Sequence, residues 1–506
     1  MSIENFFILI ALFPHCRIFI LNLYQLVVKA ICSLLTWLLI LTGAIETVWG
    51  LCQVYGYTAS NHSLYVLTGS FYNPGPYSGF LAMCLPVCLH EWLKRGKSVG
   101  GYIALGVLLL MLCVLPAGMS RSAWIATAVA SAYIGWMHYR NPITAWIRRH
   151  KILTIGAFIA LSFALGGAYL LKKDSADGRL LMWKVAVQAI QEKPLTGYGW
   201  DYVAGAYGDA QEKYFSKGDY TAQEEHVAGS PEYVFNEYLQ AAMAWGVPVL
   251  CVILLLVIAA MAGHQLSGNY GLFGAMLSLA VFSFSSYPFQ FPLFVAAFGL
   301  LILTGLLGWL RVFPLGALFP VALCWAVSVY GGYTYFTHVS ERETVKNQWQ
   351  RVRMFYHSGA YTEAVESYKP FYEEMKWNAR YLFELGHACH KAEKYDESNK
   401  YLKEALKVSA DPMILNILGK NCQAEKRYQE AEHYLLRSVS RLPGRIYPYY
   451  LLFKLYDEMP EGKYAKGRKE WAARMVLEKE PKVQSTAIRE MREEVSKRMK
   501  KNEVGN

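Results

Sequence analysis

Charge is scarce in the first two thirds of the 506-residue sequence. Only 18% of the residues are charged, and of the 89 charged side chains 57 follow residue 340, 32 of them basic and 25 acidic. A chain that is 54% hydrophobic and distributes its charges in this way is too apolar over residues 1–340 for a soluble domain. We therefore expect a polytopic membrane domain over 1–340 and a soluble domain over 341–506.

Other features are also missing. No small-residue cleavage site follows the first apolar run, so a removed signal peptide is not expected. No Asp-rich or His-rich cluster argues for a metal, and we expect no cofactor. Eight of the ten cysteines lie in or beside apolar runs, so a disulfide framework is not expected. The net charge of +11 includes a basic tail, which indicates a helix end near anionic lipid rather than nucleic-acid binding.

Apolar runs long enough to cross a membrane as helices recur along the first 340 residues. Nine are predicted, near 31–52, 78–93, 101–118, 122–138, 152–171, 234–262, 271–286, 289–310 and 313–336, and residues 5–27 are a candidate for a tenth. Lys94, Arg95, Arg148 and Arg149 flank these runs and predict cytoplasmic loops. The outer side then receives a large loop over 172–233 and the C-terminal domain.

The soluble third of the chain repeats itself. GAYTEAVESYKPFY, EKYDESNKYLKEAL and KRYQEAEHYLLRSV align without gaps, and their tyrosines Tyr361, Tyr395 and Tyr428 are 34 and 33 residues apart. This is the period of tetratricopeptide helix pairs. We predict an all-α solenoid with a charged C-terminal capping helix, which either binds a protein partner or forms a spacer over the membrane domain.

Two arginines are predicted at the outer face. Arg121 follows Ser120 and opens an apolar span, whereas Arg179 lies in the loop over 172–233. An arginine near a helix end can extend to the interface without any other role. If the two arginines share one outer cavity, however, they suit a diphosphate, because a guanidinium group binds phosphate oxygens in pairs and keeps its proton.

The loop over 172–233 begins with a predicted amphipathic helix. Its apolar positions at helical spacing are Trp183, Val187 and Ile190. Pro194 ends this helix, and Gly197 and Gly199 allow a sharp turn around Tyr198.

Polar residues also stand where two other apolar spans begin. In the stretch NPGP the prolines remove donors that hydrocarbon could not satisfy, so Asn73 is expected at the outer mouth of a span; the alternative is an ordinary helix start. Asn236, Glu237 and Tyr238 crowd the entry of a later span. They need partners or a wet cavity, unless they belong to an interfacial belt.

Four stretches together resemble the O-antigen ligase and polymerase family. They are GSFYNPGPYSGFLA (69–82), SRSAW (120–124), GRLLMW with PLTGYGW (178–200) and FNEYLQAAMAWGVPV (235–249). The resemblance covers roughly residues 30–310 and implies glycan transfer from a polyprenyl-diphosphate carrier at the outer side of the bacterial inner membrane. Arg121 and Arg179 match the arginines with which the family holds the diphosphate. The predicted substrate-binding residues are Asn73, Ser120, Trp183, Tyr198, Asn236 and Tyr238.

The sequence departs from the family at one important position. The ligase motif has histidine before the asparagine, and this chain has Phe235 there, although the spacing of Asn236 and Gly246 is kept. A phenyl ring accepts no proton, so another group must act if a general base is needed. Glu237 is the favoured candidate, with His226 and Glu232 as alternatives.

The resemblance therefore predicts a metal-independent, O-antigen ligase-like glycosyltransferase with lipid A core sugar as acceptor. A polysaccharide polymerase and a protein O-oligosaccharyltransferase are the enzymatic alternatives. A non-enzymatic envelope assembly platform, with Phe235 marking lost chemistry, is the third. Expected partners are the carrier-linked glycan, the acceptor, membrane lipid and a protein bound by the repeats. The predicted location is the inner membrane, with a periplasmic repeat domain.

Overall fold

A computed structural model describes residues 14–170, 173–311, 318–460 and 463–504. Within these ranges every regular element is a helix, which confirms the predicted all-α class. The beginnings of two predicted spans, residues 5–13 and 313–317, lie outside the described residues.

The α-helices are, in chain order, α1 Pro14–Val54, α2 Pro74–Arg95, α3 Val99–Val114, α4 Arg121–Arg149, α5 Lys151–Leu170, α6 Lys173–Glu192, α7 Val203–Ser216, α8 Ala222–Val227, α9 Glu237–Trp245, α10 Val247–Ser267, α11 Tyr270–Ser283, α12 Pro292–Leu307, α13 Leu318–His357, α14 Tyr361–Tyr368, α15 Tyr372–Met375, α16 Ala379–Lys391, α17 Tyr395–Val408, α18 Pro412–Ala424, α19 Tyr428–Arg441, α20 Ile446–Glu458, α21 Lys463–Glu478 and α22 Thr486–Val504.

Contacts divide the chain into two compact units. Of the described residues, the first unit contains 14–170, 235–238, 251–311 and 318–336, and the second contains 173–234, 239–250, 337–460 and 463–504. The segment after residue 172 is thus grouped with the C-terminal helices. The predicted domain boundary between residues 340 and 341 stays a prediction.

Helix α2 is at the centre of the first unit. It packs against α1, α3, α4 and α11, and the run 76–88 along it is buried without a break. The approach of α11 is close: a Cβ at Gly79 would lie 2.2 Å from the ring of Phe282. Lys94 and Arg95 occupy the last turn, where positive charge is favourable at a helix C-terminus.

Four helical segments of the described residues are long and apolar enough to cross a membrane. They are Leu26–Val54, Val99–Gly118, Val247–Ser267 and Pro292–Leu310. These segments support a membrane protein; the remaining predicted spans stay predictions. One prediction is wrong in detail, because the span expected over 234–262 consists of two helices, α9 and α10. The break falls at Gly246, whose φ of +84° is a conformation that glycine adopts most readily.

The C-terminal part of the second unit consists of helical hairpins. Helices α16 and α17, α18 and α19, and α20 and α21 pack in pairs, and α22 packs on α20 and α21. Three small residues of the C-terminal helices are fully buried; they are Ala364, Ser398 and Ala431, and each stands three positions after the repeat tyrosine. Gly386 and Gly419 complete the close approach, since a Cβ on either would clash with a leucine of the next helix. The tetratricopeptide identity of the hairpins stays a prediction.

Candidate functional site

The Asn73 turn starts α2 as the proline pattern predicts. Asn73 is the N-cap: its side-chain oxygen accepts a hydrogen bond from the Gly75 N–H at 2.9 Å, and Pro74 stands at the first helical position. A buried Tyr77 donates to the backbone carbonyl of Glu46 at 3.1 Å. Asn73 therefore has a structural role in the turn, and its substrate contact stays a prediction.

Two polar residues of α1 that were not predicted hold the preceding turn. The Gln53 side-chain oxygen accepts from the N–H groups of Thr68 and Gly69, at 2.9 and 2.7 Å. Glu46 accepts from the Ser70 N–H at 3.0 Å and is only 5% exposed. An acidic residue within an apolar span was the sequence signal that could have revealed this network.

Ser120 and Arg121 lie at the beginning of α4, and this pair will be called the Ser-Arg start. Arg121 is the first helical residue and is half-buried, and Ser120 has extended backbone angles without a side-chain capping bond. Met119 just before them has a φ of +48°, which is uncommon for a side chain of its size. Next to Arg121, the hydroxyls of Ser122 and Ser285 are hydrogen-bonded at 2.7 Å.

The polar residues at the beginning of α9 are tightly packed. The Asn236 side-chain oxygen accepts from the Tyr238 N–H at 3.0 Å and so begins the helix. Glu237 accepts from the Phe289 N–H at 2.8 Å, and the Tyr238 hydroxyl donates to the Ala280 carbonyl at 2.8 Å. Asn236 and Glu237 are 4% and 6% exposed, so both belong to the protein interior rather than to an interfacial belt.

Phe235, at the position of the motif histidine, has an unusual conformation. Its φ is +54°, which is strained for a bulky residue, and its ring packs edge-on against Tyr287 with centroids 4.7 Å apart. Strain of this kind persists only where the surrounding structure enforces it. The conformation of Phe235 is therefore imposed by its surroundings, and its side chain cannot take a proton.

One loop of the first unit contacts three of the four motif stretches. This loop, residues 284–291, connects α11 to α12 and will be called the 284–291 loop. Its Ser285 bonds Ser122, its Phe289 N–H bonds Glu237, and its Phe291 ring contacts Phe71 with centroids 5.4 Å apart. Sequence reasoning missed the loop because it divided this region into two adjacent spans. Pro288 and the polar serines before it were the available signal.

The environment of Glu237 favours its neutral form. Burial raises its pKa to about 8, and the hydrogen bond from the Phe289 N–H opposes this only in part. Glu237 lies outside the four apolar segments, and the described residues supply no salt bridge to it. A raised pKa is a property that a carboxyl group needs to act as a general base near neutral pH, and that role of Glu237 stays a prediction.

The remaining predicted residues lie in the second unit. Arg179 is half-buried on α6, which confirms the predicted helix. The buried positions of α6 are Leu181, Val185, Ala186 and Ala189. Val187, by contrast, is 43% exposed, and Trp183 is half-buried. The apolar positions predicted for this helix therefore coincide only in part with its buried face.

The turn after α6 is joined to the end of α9. Gly197 and Gly199 have φ of +64° and +95°, as the predicted sharp turn requires. The N–H groups of Tyr198 and Gly199 donate to Met243 and Ala244, both at 2.8 Å. The Tyr198 hydroxyl donates to the Ala189 carbonyl at 3.0 Å, so this tyrosine ties the turn to α6. The substrate contact predicted for Tyr198 stays a prediction. The convergence of Arg121 and Arg179 on one cavity also stays a prediction, and the two arginines belong to different units.

Acidic, histidine and cysteine side chains do not gather into a metal site anywhere in the described ranges. Arg121 and Arg179 are the arginines of the four motif stretches. Binding of a phosphate group by these arginines and proton uptake by Glu237 stay predictions.

The long apolar segments define the class of this protein, which is an integral membrane protein. Within it, residues 106–254 match the family model described as O-Antigen ligase. The matched range contains three of the four motif stretches and supports the O-antigen ligase family, with a glycosyltransferase-like ligase activity in lipopolysaccharide assembly. None of the curated proteins compared with the chain matches it.

Proposed function

We propose that the protein is an inner-membrane glycosyltransferase that moves an oligosaccharide from a polyprenyl-diphosphate carrier to an acceptor hydroxyl, with lipid A core sugar as the acceptor. The observation that carries this proposal is the 284–291 loop, which contacts the Asn73 turn, the Ser-Arg start and the Glu237 group. Segments distant in sequence, two of them within the matched family range, are thereby brought to one place.

In the proposed reaction Arg121 and Arg179 bind the diphosphate, and Glu237 accepts the proton of the acceptor hydroxyl. The acceptor oxygen attacks the anomeric carbon, and the bond between that carbon and the diphosphate oxygen breaks. The diphosphate leaves with the bonding electrons, and the two guanidinium groups stabilise its developing charge without a metal. Asn73, Ser120, Trp183, Asn236 and Tyr238 are proposed to line the glycan path.

The proposed orientation places α6 to α8 and the C-terminal hairpins in the periplasm. The basic residues at the end of α2 and of α4 support this orientation, because cytoplasmic loops retain positive charge. The hairpins are proposed to be tetratricopeptide repeats, as the 33- and 34-residue spacing of their tyrosines indicates.

The test replaces Arg121 and Arg179 by Ala and by Lys in the native host. Each Ala variant is expected to lose surface-glycan ligation, and each Lys variant to recover only part of it, because an ammonium group keeps the charge but not the paired hydrogen bonds. Arg149→Ala, at the exposed end of α4, is the matched control and should ligate normally. Normal ligation by both Ala variants at 121 and 179 would refute the mechanism.

The mass of the carrier-linked glycan that accumulates in the variants separates ligase from polymerase. A failed ligase leaves long glycans on the carrier, whereas a failed polymerase leaves single repeat units. If neither accumulates and the arginine variants behave as wild type, the assembly-platform alternative is supported.

A further inference from the structure

Within the second unit, ion pairs join the segment between α6 and α9 to the C-terminal hairpins. Arg437 and Arg441 of α19 contact Glu212 of α7, at 2.7 and 3.1 Å, and Arg441 also contacts Asp209 at 2.6 Å. Arg441 is completely buried. The acidic partners all belong to the segment, and the basic ones all belong to the hairpins.

Two further ion pairs extend this docking along the segment. Asp201, just after the Gly199 turn, forms a paired contact with Arg342 of α13, with distances of 2.9 and 2.7 Å. Glu225 of α8 contacts Lys479, which follows α21, at 2.5 Å. The segment is therefore fixed at its beginning, middle and end.

The backbones of α7 and the hairpins also approach each other closely. A Cβ at Gly205 would lie 2.0 Å from the Lys407 carbonyl oxygen, and one at Gly208 would lie 2.9 Å from the Cα of Ala410. Gln211 donates to the Arg441 carbonyl at 2.6 Å and is itself fully buried. The glycines of α7 are thus needed because the helix lies directly on the hairpins.

The docked helix α7 in turn supports the helix that carries Arg179. Leu181, Val185 and Ala189 of α6 share a hydrophobic core with Tyr207 and Tyr214 of α7. Ala410 of the hairpins belongs to that same core. Contacts therefore run from the hairpins through α7 to Leu181 of α6, two residues after Arg179.

From this geometry we infer that the hairpins are an internal scaffold that positions Arg179, and that Arg437 and Arg441 act as positioning residues for transfer. The inference rests on the proposed function, since it assigns Arg179 to the diphosphate. It differs from the expectation of a partner-binding array, because the hairpin residues at this contact are already occupied by the chain's own segment.

The test uses the full-length protein in detergent with carrier-linked glycan extracted from a strain lacking the chain. Glu212→Lys places a cation against both arginines and is expected to lower transfer at least tenfold. It should also speed hydrogen–deuterium exchange in peptides covering 173–192. Adding Arg437→Glu restores opposite charges in one of the two contacts, while Arg441 still faces the new lysine, so it should recover part of both readouts. Arg427→Glu, which reverses a hairpin charge that pairs with its sequence neighbours Glu425 and Glu430, is the matched control.

A second comparison separates positioning from general loss of folding. In an Arg179→Lys background, Glu212→Lys should lower transfer by less than threefold. The lysine at position 179 already binds the diphosphate less well than arginine, so its displacement costs less. A full tenfold additional loss, unchanged exchange over 173–192, or unchanged transfer by Glu212→Lys would each overturn the inference. Absence of transfer by the wild-type protein would instead refute the proposed function, and the exchange data would still decide whether the docking holds α6.

Discussion

Replacing Glu237 by Gln tests the proposed base with little change of shape. The amide oxygen of Gln can still accept the hydrogen bond that the Phe289 N–H donates at 2.8 Å, so the packing before α9 should survive. What is lost is the ability to take a proton. A positioned general base contributes about 10²- to 10⁴-fold, and we expect transfer by the variant to fall by that factor.

The pH dependence of transfer provides the second readout. Because burial raises the Glu237 pKa to about 8, the carboxylate is the minor form at neutral pH. Wild-type transfer should rise about tenfold per pH unit up to that value and then level off. Glu237→Gln should lose this rise. Glu232→Gln and His226→Gln remove the two exposed alternative bases and should leave both the rate and the profile unchanged.

Stability gives a third and independent measurement. The folded-state pKa of Glu237 lies above its ordinary value of 4.5, so between these values the folded protein holds a proton that the unfolded chain releases. Stability must then decrease as pH rises through this window, by about 2 kcal/mol between pH 6 and pH 8. Glu237→Gln should lack this contribution to the pH dependence of stability, which thermal unfolding at several pH values measures. Wild-type transfer rates and an unchanged pH profile in Glu237→Gln would refute the base assignment, whatever the stability shows.

Three further predictions follow from single contacts. Arg441→Ala removes a buried arginine from the exposed Asp209 and the half-buried Glu212 and should destabilise the second unit by about 1–3 kcal/mol, visible as a lower denaturation midpoint; an unchanged midpoint contradicts the docking. Gly246→Ala requires a strained φ and a Cβ 2.2 Å from a carbonyl oxygen, so it should lower the melting temperature, whereas Gly135→Ala, in open space on a helix, should not. Phe235→His places an imidazole beside residue 237 and should raise transfer of Glu237→Gln at least tenfold; no gain would show that this position cannot supply the base.

Local signals in the sequence were enough for several parts of the site. The Asn73 turn and the glycine turn around Tyr198 were predicted because proline and glycine restrict or free the backbone at their own positions. The helical class followed from periodic patterns. In each case the cause lies within a few residues of its effect.

Features that depend on distant residues could not be predicted in the same way. The 284–291 loop contacts Ser122 across 163 positions of sequence, and no local pattern encodes that pairing. The left-handed backbone of Phe235 contradicts the preference of its own side chain and is imposed by its surroundings. The exposure of Val187 likewise reflects which side of α6 faces α7, which helical spacing alone does not determine.

The pairing of Asp209 with Arg441 joins residues separated by 232 positions. At a ribosomal rate of about 5–20 residues per second, the carboxylates leave the exit tunnel roughly 10–50 s before their partner. During that interval the glycine face of α7 lacks the hairpin residues that cover it, while the apolar segments Val247–Ser267 and Pro292–Leu310 are being made. Newly made chains should therefore be vulnerable to proteolysis at α7, and a stop codon late in the gene should harm an early part of the product.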